Sequence, residues 1–316
     1  MARSVPPQRD FLRLTDLDRA ELLELLERAA EWKLLGSRGP RPLERKTVAL
    51  IFEKASTRTR GSFEVAAQQL GAGSLMLSPR DMQLGRGEPI KDTARVMARY
   101  VDCLVVRTFE HSKVEEIARY ADIPVVNALT DACHPCQLLA DLLTVRERFG
   151  VDALVKQGLE IAWIGDGNNM ANSWLEACAI LGFNLRLACP EGYDPDAKLL
   201  ANCRGKARVV RDPREAAKGA QVLNTDVWAS MGQEGEAEVR KQKFKGFIVD
   251  EPLVRLARPE VVREKIEPLH QHHLRLVRRQ RLERRAREVH RAGQEQVPVG
   301  RVEEDDPLGE GELLLR

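Results

Sequence analysis

What most constrains this chain is a rhythm of short apolar, β-branched runs alternating with helical patterns. Candidate strands at Thr47–Phe52, Ser74–Leu77, Val101–Val106 and Ile123–Ala128 alternate with candidate helices at Ser62–Leu70, Ile90–Tyr100, Val114–Tyr120 and Pro135–Phe149. Near-continuous apolar runs suit strands buried on both faces, and strands separated by helices build a parallel sheet. A second series follows Gly150, with strands expected at Leu159–Ile164, Asn184–Ala188, Ala207–Val210, Gln221–Thr225 and Gly246–Val249. The chain thus reads as α/β, two doubly wound parallel-sheet domains joined by the long helix Pro135–Phe149 and preceded by an amphipathic helix at Asp16–Leu35. The expected boundaries are 1–146, 147–260 and an atypical tail at 261–316.

Composition narrows the partners. A net charge of +2 gives no overall field for nucleic acid or membrane, and 316 residues suffice for two cores. No apolar stretch follows "MARSVPPQRD" as a signal peptide requires, and no run is long enough to span a bilayer, so a cytoplasmic place is expected. Six cysteines in apolar contexts suit free buried thiols. Cys133 and Cys136 flank His134 at CxxC spacing, but without a second ligand pair a zinc site is disfavoured, and no cofactor is expected.

The tail breaks the pattern. Strand rhythm stops at about Val261, and Arg275 to Arg291 holds eight arginines against two glutamates. A compositional jump of this kind marks a change of reading frame, a replaced segment or, last, a basic partner-binding helix.

One stretch demands a chemical explanation. "FEKASTRTRGSFEVAAQQLG", Phe52 to Gly71, follows a buried strand and leads into a helix whose Phe63, Ala66, Ala67 and Leu70 share a face. Its hydroxyls and guanidinium groups therefore sit at the C-terminal edge of a sheet and the N-terminus of a helix. Ligands of open α/β sheets bind at that edge, and the helix end favours an anion. Ser56, Thr57, Arg58, Thr59 and Arg60 supply phosphate-type donors. The plain alternative is that Ser56 caps the helix and the arginines are solvated. The nucleotide P-loop pattern G-x-x-x-x-G-K is absent, which leaves the phosphate of a small metabolite.

This stretch resembles the carbamoyl-phosphate loop of the aspartate/ornithine carbamoyltransferase family. "MQLGRGEPIKDTARV" (Met82–Val96), "VVRTFEH" (Val105–His111), "HPCQLLADLLT" (His134–Thr144), "WIGDGNNMANSWLEA" (Trp163–Ala177) and "NTDVWASMGQE" (Asn224–Glu234) are similar to the ornithine branch and fall in the family's order. The likeness runs from about residue 8 to 260.

The resemblance implies an enzyme moving the carbamoyl group of carbamoyl phosphate to the side-chain amine of L-ornithine, in arginine metabolism. Such chemistry needs charge stabilisation and positioning, but no covalent nucleophile or metal. It implies that Ser56, Thr57, Arg58 and Thr59 hold the phosphate, that Arg107 adds a second guanidinium, that His134 donates to the developing oxyanion and that Gln137 fixes the carbamoyl amide. Gln83 is implied to serve a neighbouring subunit's site, and hence a homotrimer. Asn169 is implied to hold the amino acid, with Asn168 the weaker candidate; Asp226 is implied to meet the α-ammonium, and Ser230 and Met231 to form a closing loop.

Two alternatives stand beside this. Gly165 and Gly167 begin a G-x-G-x-x-G dinucleotide pattern with Glu191 placed as a ribose acid, but position 170 is methionine. The family's His-Cys-Leu-Pro motif and terminal arginine are also missing, since no cysteine follows Cys203; a diverged paralogue that binds carbamoyl phosphate with little turnover is therefore the other reading.

Overall fold

A computed structural model of the chain describes residues 9–54, 56–78, 87–155, 158–228, 234–258 and 262–265, all within one compact unit, Met1–Glu267. In chain order its elements are α1 (Arg19–Leu35), β1 (Thr47–Phe52), α2 (Arg58–Leu70), β2 (Gly73–Leu77), α3 (Ile90–Met97), β3 (Cys103–Arg107), α4 (His111–Tyr120), β4 (Val125–Leu129) and α5 (Pro135–Phe149). There follow β5 (Glu160–Ile164), α6 (Asn169–Leu181), β6 (Asn184–Ala188), α7 (Ala197–Asn202), β7 (Ala207–Val210), α8 (Pro213–Ala217), β8 (Val222–Thr225), α9 (Ala237–Lys243), α10 (Glu251–Val254) and β9 (Val262–Lys265). They form two sheets, ordered β2-β1-β3-β4 and β7-β6-β5-β8-β9. Every strand pair is parallel.

Alternation along each strand explains the two covered faces. In β1, Val48, Leu50 and Phe52 pack with Ala67 of α2, while Ala49 and Ile51 turn towards Ala94 and Met97 of α3 and Val114 and Ile117 of α4. In β5, Ile161 and Trp163 face α6, whereas Ala162 and Ile164 face Ala216 and Ala217 of α8. Helix α5 begins with Pro135 at its first position, where a missing N–H costs nothing. Its Leu138, Leu142 and Val145 share a core with Leu22 and Leu26 of α1 and with Trp174 and Leu175 of α6, so one apolar cluster joins the helix to the second sheet.

The N-terminal segment fastens both halves. Phe11 bridges Val126 in parallel register, its N–H donating to Val125 O at 2.8 Å and its carbonyl accepting from Asn127 N–H at 2.8 Å. Three residues later, Leu14 N–H donates to Glu176 Oε2 of α6 at 3.0 Å. A reciprocal capping box between Asp18 and Glu21 then starts α1.

Three expectations are corrected. Gly246–Val249 is not a strand: Phe247 and Val249 pack beside α8 and α10 while the backbone joins no sheet. The strand rhythm does not stop at 261, because β9 pairs with β8 from Val262 to Lys265 and adds a fifth strand to the second sheet. Helix α2 starts at Arg58, a turn before Ser62, so its first turn is the charged segment itself.

Candidate active site

Each sheet has one place where the chain reverses the direction in which it adds strands. From β1 the chain goes to β2 on one side and later to β3 on the other; from β5 it goes to β6 and β7, then to β8 on the opposite side. A crevice opens beyond the C-terminal strand ends at such a point. The first crevice receives residues 53–54, 56–59 and Arg107; the second receives residues 165–169 and Asp226.

At the first crevice Thr57 holds the N-cap position of α2, and its side chain makes no capping bond. Ser56 is therefore not the cap, and the open N–H groups of the first turn lie at the crevice with no capping side chain from Thr57. Arg107, the last residue of β3, donates from Nη1 to Thr59 Oγ1 at 3.1 Å, and its buried Nε has no partner among the described residues. Burial, then the positive charge of Arg58, pulls the Arg107 pKa below its ordinary value. Two guanidinium groups that repel each other beside open N–H donors make a cradle for a multiply charged anion.

Lys54 holds this segment in place. Its buried ammonium pairs with Asp131 and lies 4.3 Å from the centre of the Phe109 ring. Neighbouring Glu53 accepts from the Thr108 hydroxyl and from Lys113 Nζ at 3.4 Å. A cavity of about 610 Å³ opens on the β2 side, lined by Lys54, Ser56, Thr57, Arg60, Met76 and Ser78.

His134 sits at the N-cap of α5, buried, with Nδ1 unpartnered among the described residues. Burial, then the Arg107 charge, lowers its pKa to about 3, so the ring is neutral at pH 7. Its backbone N–H donates to Ser173 Oγ at 2.9 Å. One turn on, Gln137 Nε2 donates to Asp141 Oδ1 at 2.8 Å. The Cys133 and Cys136 thiols point at the carbonyl oxygens of Leu12 and Asn127, and burial pushes both pKa values up to about 12, so they are protonated rather than metal-ready.

At the second crevice both asparagines also bond within the chain. Asn168 caps α6, its Oδ1 accepting from Met170 N–H at 2.9 Å, and donates from Nδ2 to Asp226 Oδ2 at 3.2 Å. Asn169, the stronger candidate on resemblance, spends its Nδ2 on Thr130 O at 2.8 Å. Burial raises the Asp226 pKa; the Val227 N–H, Asn168 and the charge of Arg58 counter it, so Arg58 and Asp226 share one electrostatic neighbourhood. Gln83, Ser230 and Met231 lie outside the described residues.

The structure removes the basis for a dinucleotide. A Cβ at Gly167 would stand 2.2 Å from Pro195 N and 2.3 Å from Asp194 C, so this glycine admits the chain's own backbone where a pyrophosphate would need to come. Met170, where the third glycine belongs, is buried. Lys54, Ser173 and the largely buried pair of Asp166 with Arg240 (2.6 Å) are further polar groups here that the motifs did not single out. Only Ser173 had a readable signal, four residues beyond Asn169 and hence on the same helical side.

Residues 9–147 match the family model described as aspartate/ornithine carbamoyltransferase, carbamoyl-P binding domain, and residues 157–265 match the Asp/Orn binding domain of the same family. The chain is 52% identical over 258 residues to the ornithine carbamoyltransferase of Pelobacter propionicus, covering 80% of this chain and 83% of that one. It is 49% identical over 264 residues to the anabolic ornithine carbamoyltransferase of Pseudomonas aeruginosa, with 83% and 85% covered. Among solved structures it is similar to the ornithine carbamoyltransferase of Thermus thermophilus, with a TM-score of 0.75, 42% identity and 85% and 88% of the two chains covered.

Proposed function

Since the chain belongs to the aspartate/ornithine carbamoyltransferase family, we propose that it transfers the carbamoyl group of carbamoyl phosphate to the side-chain amine of L-ornithine. The products are L-citrulline and phosphate, in arginine biosynthesis. The observation that carries this reading is the convergence of Arg58, Thr59, Arg107 and a neutral His134 at one strand switch point, with Asp226 of the other sheet in reach of the Arg58 charge.

In this reading the phosphate lies on the first turn of α2, held by Ser56, Thr57, Arg58 and Thr59, with Arg107 between phosphate and carbonyl oxygen. The neutral amine attacks the carbamoyl carbon, a C–N bond forms, and the carbonyl oxygen becomes an oxyanion that His134 and Arg107 stabilise. The C–O bond to phosphate then breaks, and the departing phosphate takes the proton released by the attacking nitrogen. A neutral imidazole suits this role because it donates a hydrogen bond without adding a third charge beside two arginines. Gln137, with its NH2 already on Asp141, offers its carbonyl oxygen to the carbamoyl NH2.

Asp226 meets the α-ammonium of ornithine, with Asn169 at the amino acid's polar end and Ser230 and Met231 closing over it. A carboxylate here with no arginine in hydrogen-bond contact among the described residues suits a cationic amino acid better than aspartate. Domain boundaries near residue 147 are supported by the break between the two matched segments, and the second domain takes in β9. A homotrimer in which Gln83 serves a neighbour's site is supported by the family resemblance. Six free cysteines support a reducing, cytoplasmic compartment. Among the described residues no helix is long and apolar enough to cross a membrane.

The test is formation of ureido product by the purified chain from carbamoyl phosphate with ornithine, putrescine or aspartate. Citrulline from ornithine alone is the expected result. Product only from another amine, or none from any, overturns the assignment.

A further inference from the structure

The turn between β4 and α5, which presents His134, is held by one face of α6. Asn169 Nδ2 donates to Thr130 O at 2.8 Å, Asn172 Nδ2 to Ala132 O at 3.2 Å, and His134 N–H to Ser173 Oγ at 2.9 Å. The three helix residues stand at i, i+3 and i+4, so they form one stripe. Ser173 is fully buried and donates its own hydroxyl proton to Asn169 O at 2.8 Å, which leaves an oxygen lone pair for the His134 N–H. Asn172 is used at both ends, because its Oδ1 also accepts from Asp196 N–H at 3.0 Å. The other side of the turn is fixed within the first sheet: Thr130 N–H donates to Cys133 O at 3.0 Å, and Thr130 Oγ1 lies 2.9 Å from His111 Nδ1. Cys133 is held by Thr130, Asn127 and Leu12, whereas Ala132 O and the His134 N–H are held by α6.

We propose that Asn172 and Ser173 are positioning residues for carbamoyl transfer. They hold the 130–134 turn so that the His134 ring meets the reacting carbonyl oxygen, and they tie that placement to the amino-acid site at the start of the same helix. This rests on the carbamoyl-transfer reading above. Two physical points support it. The ring has no hydrogen bond of its own at Nδ1 among the described residues, so its aim follows from the backbone beneath it. Hydrogen bonds to a developing oxyanion also lose their worth when the donor is displaced by a fraction of an ångström. Because Asn168 begins the same helix and bonds Asp226, movement of the amino-acid site carries the stripe with it.

The experiment compares the full chain with Ser173→Ala, Ser173→Thr and Asn172→Asp. The aspartate keeps an acceptor for Asp196 N–H and removes the donor to Ala132 O; the threonine keeps the hydroxyl. Ser173→Ala is expected to lower kcat by about 10- to 100-fold, Asn172→Asp by roughly tenfold, with Ser173→Thr recovering most of the loss. Calorimetric binding of inorganic phosphate should stay within about threefold of wild type in all three, because the α2 cradle is untouched. An unchanged kcat in Ser173→Ala, a loss that threonine does not recover, or phosphate binding that falls with kcat overturns the proposal. Should the unaltered chain make no ureido product, the transfer reading fails on its own, and amide exchange decides the placement. Exchange at the His134 N–H must then quicken about tenfold or more in Ser173→Ala and slow again in Ser173→Thr; equal exchange in all three refutes the role of Ser173.

Discussion

Mild acid tests whether His134 is carried as a neutral imidazole. Its pKa falls from the ordinary 6.5 to about 3 in the folded chain, first through burial and then through Arg107. Between those values the unfolded chain binds a proton at this site and the folded chain does not. Stability from this group is thus fully present above pH 6.5 and is lost as pH falls towards 3, at about 1.4 kcal/mol per pH unit. At pH 5 the loss should be about 2 kcal/mol relative to pH 7. Other groups titrate in the same window, His111 among them, whose pKa burial also lowers. The comparison is therefore with His134→Gln, by urea unfolding at pH 7 and pH 5 and one protein concentration. Wild type should lose about 2 kcal/mol more than the variant between the two pH values. Equal losses would show that His134 takes up its proton as readily folded as unfolded, and a neutral donor to the oxyanion would have to be abandoned.

Other perturbations separate the parts of the site. Arg58→Ala should weaken binding of a carbamoyl-phosphate analogue about 10- to 100-fold, whereas Asp226→Ala should spare it and weaken only the amino acid; calorimetry giving equal losses in both would contradict two separate subsites. Gly167→Ala places a Cβ 2.2 Å from backbone that cannot swing aside, so its urea midpoint should drop by the equivalent of about 1–3 kcal/mol or more. Arg240→Met strands the carboxylate of Asp166, whose pKa burial already raises, and should cost about 3 kcal/mol. Adding Asp166→Asn should return part of that, and strict additivity in the double-mutant cycle would count against the pair.

Much of the fold was readable because parallel strands buried on both faces leave a strong trace. Thr47–Phe52, Asn184–Ala188 and Ala207–Val210 have the bounds their apolar content suggested. The failures have physical causes. Phe247 and Val249 are apolar because they pack on α8 and α10, a burial that a strand-like pattern imitates without any sheet partner. Val262–Lys265 escaped because three of its four residues are charged, a composition that suits the edge position it takes among the described strands. At the site, the donor-rich residue types suited to an anion were visible in seven consecutive positions, 54–60. The clasp of Asn169 on Thr130 spans 39 residues of sequence and exists only once two sheets are placed side by side. Local spacing cannot announce that an amide will be used on a distant carbonyl.

The fastening of the N-terminal segment bears on the order of assembly. Residues 9–14 lie against β4 and against a carboxylate on α6, and the bond from Leu14 to Glu176 closes a loop of 162 residues. During synthesis these residues emerge well before either of their partners. Long-range contacts of this kind form late because loop-closure entropy must be met before they repay it. The first sheet can collapse around β1, β2 and β3 while this segment waits, and its bond to Glu176 closes only after α6 has formed. Docking of residues 9–14 thus acts as a late checkpoint, tying β4 to α6 only when the second sheet is in place.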